Sequence, residues 1–307
     1  MKGLNIKSLF GVALLGVALV GSVHADTPPI KGLGAQPGTL NYVEGQARVG
    51  EQDLNGNSVG SVTLQPGQSL ATENGRAEIL LTPGVVLRVA HDSSVTMVSP
   101  DLINTEVQID KGESLVKVND LHKENNLRVQ EGGATATLKK NGLYDFDANE
   151  DQIRVFDGKA EVRRGSEKVD VTKNHEVTLS ANAELKSKGF DADKSQDDFY
   201  KWSRLRSEYM AEANAWAAET FVGDGPWYGG WYWNPWFDGY VFFPANGIVY
   251  SPFGWGFYSP WAFRGFYGYP YWGVRRPLVG PRPPVVPRSG PIRTWHGAGR
   301  ISGGRVR

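Results

Sequence analysis

Apolar and polar residues alternate in short runs from Thr39 to about Leu185. Ala77 and Ile79 flank Glu78, Ile153 and Val155 flank Arg154, and Val169 and Val171 flank Asp170. Val85/Leu87/Val89, Val95/Met97, Val116/Val118, Leu127/Val129 and Val177/Leu179 continue the series. A period of two sends alternate side chains to opposite faces, so each run predicts a strand with one apolar face. Turn signals separate the runs: Asn55-Gly56-Asn57, Pro66-Gly67, Asn74-Gly75, Pro83-Gly84, Lys111-Gly112, Asn141-Gly142, Asp157-Gly158 and Arg164-Gly165. Asn-Gly and Asp-Gly suit the positive φ of tight hairpin turns. About 14 strands spaced this closely predict a mainly β fold over 39–190: a multi-stranded sandwich, roll or solenoid.

The period changes to that of a helix once. After Ser195-Gln196-Asp197-Asp198, a capping-box-like start, Phe199, Trp202, Leu205, Tyr209, Ala213 and Trp216 follow at gaps of three and four. They predict an amphipathic helix within 191–221 whose apolar stripe closes one side of the β domain. Lys201, Arg204, Glu208 and Glu212 would then face solvent. A stripe left open for a partner helix is the alternative reading.

Residues 222–273 follow neither period. Between Trp227 and Trp272, 22 of 46 residues are aromatic, and only Asp238 and Arg264 carry charge. Pro235, Pro244, Pro252, Pro260 and Pro270 break the stretch too often for a membrane-spanning helix or for barrel strands. Two uses of the rings remain open. They can pack on the β domain or on each other, because each buries much apolar area. Alternatively, Gly/Pro turns hold Trp227, Tyr228, Trp231, Tyr232, Trp233, Trp236, Trp255 and Trp261 as flat faces for sugar rings or a membrane interface. These eight are the candidate binding residues.

The sequence carries no net charge, but the charge is unevenly placed. Residues 26–220 hold 22 basic and 31 acidic side chains, whereas 221–307 hold nine basic and two acidic. The tail, 274–307, has eight Arg and no Asp or Glu, and its Pro and Gly favour an extended, disordered chain. The tail's natural counter-charges are the acidic half of the chain or an anionic envelope surface.

Lys2 and Lys7 precede an apolar run from Leu9 to Val20, and Val23-His24-Ala25 offers a small-x-small cleavage site. This predicts an export signal over 1–25, cut after Ala25, and a Pro/Gly-rich lead-in over 26–38. The mature protein is then expected in the periplasm, at the cell surface or secreted, with no transmembrane span and no nucleic-acid partner. Cysteine is absent, which excludes disulfides, thiolate metal sites and cysteine nucleophiles.

Catalytic signatures are missing. No Gly-x-Ser-x-Gly elbow, phosphate-binding loop or helical His pair occurs. His91-Asp92-Ser93 are chain neighbours, whereas triads converge from separate segments. Asp145-x-Asp147-x-Asn149-x-Asp151 resembles the opening of a calcium loop, but Glu150 stands where Gly is needed and Phe156 where Glu is needed. The expectation is a non-enzymatic protein with no metal and no cofactor.

Several segments together resemble the FecR domain, an extracytoplasmic β module. They are Gly38-Thr-Leu-Asn-Tyr-Val-Glu-Gly45, Leu64-Gln-Pro-Gly-Gln-Ser-Leu-Ala-Thr72, Gly75-Arg-Ala-Glu-Ile-Leu-Leu81, Lys111-Gly-Glu113 and Asp157-Gly-Lys-Ala-Glu-Val162. The resemblance covers about 38–180 and implies a scaffold rather than an activity. Asp198–Trp216 and Trp227–Trp261 are also similar to the continuation in secreted, stand-alone members. Where members tend to carry Gly-Thr-x-Phe before a late strand, this chain reads Asn141-Gly-Leu-Tyr144. Signalling members also carry a cytoplasmic segment and a membrane helix in place of the expected signal. The aromatic segment's expected partners are an envelope polysaccharide, peptidoglycan, a membrane surface or another outer-membrane component, whereas the resemblance implies the sensing of an outer-membrane receptor or partner protein. A periplasmic signalling protein is the alternative.

Overall fold

The alternating runs become the strands of two stacked sheets. The computed structural model describes residues 35–220 and 228–262. The expected export signal, most of the lead-in, Trp227, residues 263–273 and the basic tail lie outside the described residues. In chain order the strands are β1 Leu40–Glu44, β2 Ala47–Val49, β3 Gln52–Asp53, β4 Ser69–Thr72, β5 Arg76–Leu80, β6 Val85–Val89, β7 Ser94–Pro100, β8 Thr105–Lys111 and β9 Glu113–Val118. There follow β10 Arg128–Glu131, β11 Ala134–Leu138, β12 Gly142–Asp147, β13 Gln152–Asp157, β14 Lys159–Arg164, β15 Glu167–Thr172, β16 His175–Thr178 and β17 Ser187–Gly189.

One sheet runs β1-β5-β6-β9-β12-β13-β16-β17, and the other β15-β14-β11-β10-β8-β7-β4-β2-β3. Pairing is antiparallel, except that β8 and β10 run parallel. The inner faces share one core: Leu87, Val116, Phe146 and Val155 from the first sheet meet Leu70, Val107, Val129 and Val162 from the second. The architecture is thus a β-sandwich, built from inward positions of the period-two runs.

The departure from the family pattern at Tyr144 has a structural use. Its ring lies in the core, and its hydroxyl donates to Lys140 O and accepts from Lys159 N at 3.1 Å. It thereby ties the start of β12 to the β13–β14 turn. That turn needs Gly158, with φ of 103°. A Cβ there would strike the Tyr144 hydroxyl.

A third layer covers the outer face of the first sheet. It consists of helix α1, Asp198–Thr220, and two hairpins. The hairpins are β18 Gly230–Asn234 with β19 Gly239–Phe243, and β20 Ile248–Tyr250 with β21 Gly256–Tyr258. Asp197 caps the helix, its Oδ1 accepting from Tyr200 N at 2.7 Å.

The helix lies where its period predicts, but it is turned relative to the expected stripe. Leu205 and Trp216 are exposed, while Ser203, Arg206, Ser207, Met210, Asn214 and Ala218 are buried. The reason is the surface beneath. The helix meets charged and amide groups on the sheet and hairpins, so hydroxyls, an amide and small side chains face it.

Candidate functional site

Strand register lines up one row of residues across the outer face of the first sheet. It runs Glu78, Arg88, Leu115, Asp145, Arg154, Glu176 and Lys188, from β5 to β17. Alternating signs on neighbouring strands let each charge pair sideways. Salt bridges form at Arg88–Glu78 (2.8 Å), Arg154–Asp145 (3.2 Å) and Lys188–Glu176 (3.2 Å).

The third layer buries the Glu78 end of this row completely. Arg88 donates to Glu78, to the Ser203 carbonyl and to the hydroxyls of Ser203 and Ser207. Glu78 also accepts from Asn41 at 2.8 Å and lies 3.5 Å from Arg206. The Arg206 guanidinium stacks between the rings of Tyr42 and Phe237, at 4.2 and 4.3 Å. Burial alone would raise Glu78, but the charges of Arg206, Arg88 and Lys117 and the Asn41 hydrogen bond outweigh it and bring its pKa down to about 2. Lys117 is also wholly buried, with its ammonium 5.0 Å from the Phe257 ring. Burial, and then the charge of Arg88, push the Lys117 amine well below its usual value.

Two asparagines splice the layers. Asn41 on β1 donates to Tyr240 O and accepts from Tyr240 N at 2.7 Å, so its amide pairs with β19 as a peptide group would. Asn214 on α1 donates to Phe242 O (2.8 Å) and Tyr258 O (3.0 Å), and accepts from Tyr258 N (2.7 Å). One side chain thus holds both hairpins to the helix. Asn214→Ala leaves those buried backbone groups unpaired and is expected to cost about 1–3 kcal/mol in urea unfolding. Asn41→Ala should behave alike.

Around Asp145 the same face is acidic. Glu113 and Asp147 are register partners on β9 and β12, Arg154 bonds both Asp145 and Asp147, and the charge of Asp197 at the helix start acts on Glu113 and Asp145. Burial first, and then these like charges, raise the carboxyls of Glu113 and Asp145. Glu131 on β10 follows the same face as Val129, the face of the sandwich core. Burial, then Asp147 and Asp151, push it up to about 8.

The rings of the third layer divide into two sets. Trp231, Tyr240, Phe242 and Phe257 pack with Leu80 and Val86 of the sheet and Met210 of the helix. Val241 and Phe243 pack on Ala213, Ala217 and Ala218. Trp231 is 2% exposed, so its ring is interior and offers nothing to a ligand. Tyr232, Trp233 and Trp255 are half-buried. Outward stand Trp236 at 81%, Tyr228 at 75% and, with smaller exposed fractions, Trp216 at 42% and Trp261 at 41%. Trp216 and Trp236 meet edge to face, with centroids 5.9 Å apart. Trp227 lies outside the described residues. The rings thus stand side by side in two settings, core and exposed surface.

The other sequence candidates have local roles. Ser93 donates to the His91 carbonyl at 2.8 Å, while exposed His91 and Asp92 meet at 3.2 Å. Asp147 Oδ1 accepts from Asn149 N at 3.1 Å, closing the β12–β13 turn. Among the described residues, no cluster of His, Asp and Glu has a metal-holding arrangement, and no helix is long and apolar enough to cross a membrane.

Residues 68–166 match the family described as FecR protein. The match runs from the start of β4 to just beyond β14, within the two sheets of the sandwich. No curated protein matches. Two crystal structures described as a "putative anti-sigma factor" from Parabacteroides distasonis ATCC 8503 are similar over part of the chain. The one at 1.65 Å resolution is 18% identical with a TM-score of 0.37, covering 44% of this chain and 64% of its own. The one at 2.50 Å is 20% identical with a TM-score of 0.35, covering 40% and 60%. The chain therefore spans less than two thirds of either protein's length.

Proposed function

We propose that this is an exported, non-enzymatic FecR-domain protein of the cell envelope. The sandwich serves as scaffold, and the outward rings of the third layer contact an envelope polysaccharide, peptidoglycan or another outer-membrane component. One observation carries the reading. A layer that buries Trp231, Phe242 and Phe257 almost completely leaves Trp236 and Tyr228 more than two thirds exposed. Rigid rings held in that way suit stacking on sugar faces. Export rests on the amino-terminal pattern of Lys2, Lys7 and the apolar run to Val20.

A pull-down on insoluble cell-wall and capsular polysaccharides tests this. The protein is expected to be retained, and Trp236→Ala with Tyr228→Ala to release it, while the fold persists at a cost of about 0.5–1.5 kcal/mol for the lost ring pair with Trp216. Failure to bind, or equal retention of the variant, contradicts the reading. Trp231→Ala is the wrong variant for this purpose, because it opens a core cavity.

The second reading is a regulatory module that senses a receptor or partner protein outside the cytoplasm. The FecR match over 68–166 favours it. Co-purification of a periplasmic signalling protein, with loss of a transcriptional response on deletion, would select it over polymer binding.

A further inference from the structure

The outer face of the second sheet, away from the rings, carries a cavity of about 500 Å³. Strand register builds it. Arg48 on β2, Ala71 on β4 and Ser94 on β7 stand in one row, with Lys111 on β8 next in line. Their neighbours Val49, Leu70 and Val95 lie in the core, so this row faces outward. Gln68 and Ser69 line the cavity beside the row, as do Gly50 and Gly67. A Cβ at either glycine would meet nothing within 4 Å, so the backbone there is open to a ligand.

The cavity holds unused hydrogen-bonding capacity. Among the described residues, no ion pair engages Arg48 and no side-chain hydrogen bond engages Ser94. Asp53 is the register partner of Arg48 on β3, yet the two form no salt bridge. Gln68 Oε1 accepts from Gln65 N at 2.9 Å, which leaves its Nε2 as a donor. Ser69 pairs with Thr96, and Thr96 donates to Asp110 at 2.6 Å. Asp110 also accepts from Gln108 at 2.7 Å.

These groups select a ligand chemistry. A guanidinium fork matches the two oxygens of a carboxylate. With Asp53 and Asp110 on the same face, one negative charge is accommodated and a dianion such as phosphate is disfavoured. Beside the fork, hydroxyls and an amide over the small Ala71 side chain suit the hydroxyls of a sugar ring. Sites for small ligands span about 300–1,000 Å³, and this cavity falls within that range.

We propose that the cavity binds a sugar unit bearing one carboxylate, its acid on Arg48 and its ring hydroxyls on Ser94, Ser69 and Gln68. This site lies beyond the proposed ring surface and does not depend on it.

Titration of the full chain with glucuronate, acetate, glucose or phosphate tests this, read by NMR at the backbone amides of Gly50, Gly67 and Ser94. Glucuronate is expected to shift these signals saturably, and each of the other three to bind at least about tenfold more weakly. Arg48 is exposed, so Arg48→Gln leaves the core intact. It should weaken glucuronate about tenfold or more. Ala71→Leu fills the floor and should abolish the shifts, whereas Trp236→Ala should leave them unchanged. Four results would overturn the proposal. They are no saturable shift with glucuronate, equal binding of acetate, glucose or phosphate, indifference to Arg48→Gln and Ala71→Leu, or loss of binding in Trp236→Ala. Failure of polymer retention with glucuronate binding intact would reject the ring-surface reading alone.

Discussion

Replacing Glu78 with Ala is expected to lower the unfolding free energy by about 3–5 kcal/mol, the usual cost of breaking a buried ion pair from one side. Arg88 is fully buried, and its Nε–H meets Glu78 at 2.8 Å. Arg206 and Lys117 add positive charge within the same layer boundary. Without the carboxylate, that boundary holds cations facing one another and nothing to balance them. Separating the third layer from the sheet is the cheapest relief. The variant should therefore bind a hydrophobic dye and expose Lys117 while the sandwich persists. A second substitution that removes a cation, Arg88→Met, is expected to recover part of the loss, because a matched apolar pair can equal a buried ion pair. Urea unfolding of the single and double variants measures both effects. Equal stability of Glu78→Ala and the parent would mean that the charges are solvated.

Stability should peak in mild acid, near pH 5, and fall by a few kcal/mol toward pH 9. Glu131 sits on the core face with its carboxyl pushed up to about 8, and Glu113 and Asp145 are raised with it. For groups raised on folding, the contribution is intact below the unfolded value, which is 4.5 for Glu. As pH rises, the unfolded chain releases these protons first, and stability drains until the folded carboxyls ionise. Glu78 acts in the opposite sense. Its folded value, about 2, lies below 4.5. Its contribution is present above 4.5 and lost as pH falls toward 2. Urea midpoints from pH 3 to 9 should trace a maximum between the two regimes. Glu131→Gln cannot ionise and is expected to flatten the alkaline limb. A maximum at neutral pH that this variant leaves unchanged would contradict the assignment.

The sandwich was readable because its signal is local. Turn residues and a period of two specify strand, hairpin and inward face from a few neighbours. Gly158 and the inward valines stand where that reasoning puts them. Helix α1 was legible for the same reason, including its acidic start at Asp197. What the pattern could not carry was the third layer. Alternation marks Glu78 and Arg88 as belonging to the face opposite Ile79 and Leu87, but it does not say whether water or protein covers that face. Their partners, Ser203, Ser207 and Arg206, lie more than a hundred residues further on. The helix stripe misled for a related reason. Leu205 and Trp216 obey the apolar period, whereas the buried face is chosen by the charges beneath it.

The aromatic segment shows the same limit. Composition marked the rings, but no short-range signal separates Trp231 from Trp236. The difference arises from pairing. Trp231 lies on β18 opposite Phe242, facing the sheet. Trp236 follows in the turn, where Asn234 Oδ1 accepts from its backbone N–H and the ring projects outward. The buried asparagines 41 and 214 carried no sequence signal beyond residue type.

The account depends on the third layer being seated on the first sheet in solution, and Lys117 reports on this directly. Its amine lies under Phe257, fully enclosed, while Lys139 and Lys140 are exposed. Acylation of the native protein with a small amine reagent, followed by peptide mass spectrometry, compares the three. The predicted result is rapid labelling of Lys139 and Lys140, with Lys117 modified only at the rate of unfolding. Labelling of Lys117 as fast as its exposed neighbours would show the sheet uncovered and would contradict the architecture on which the proposed binding surface stands.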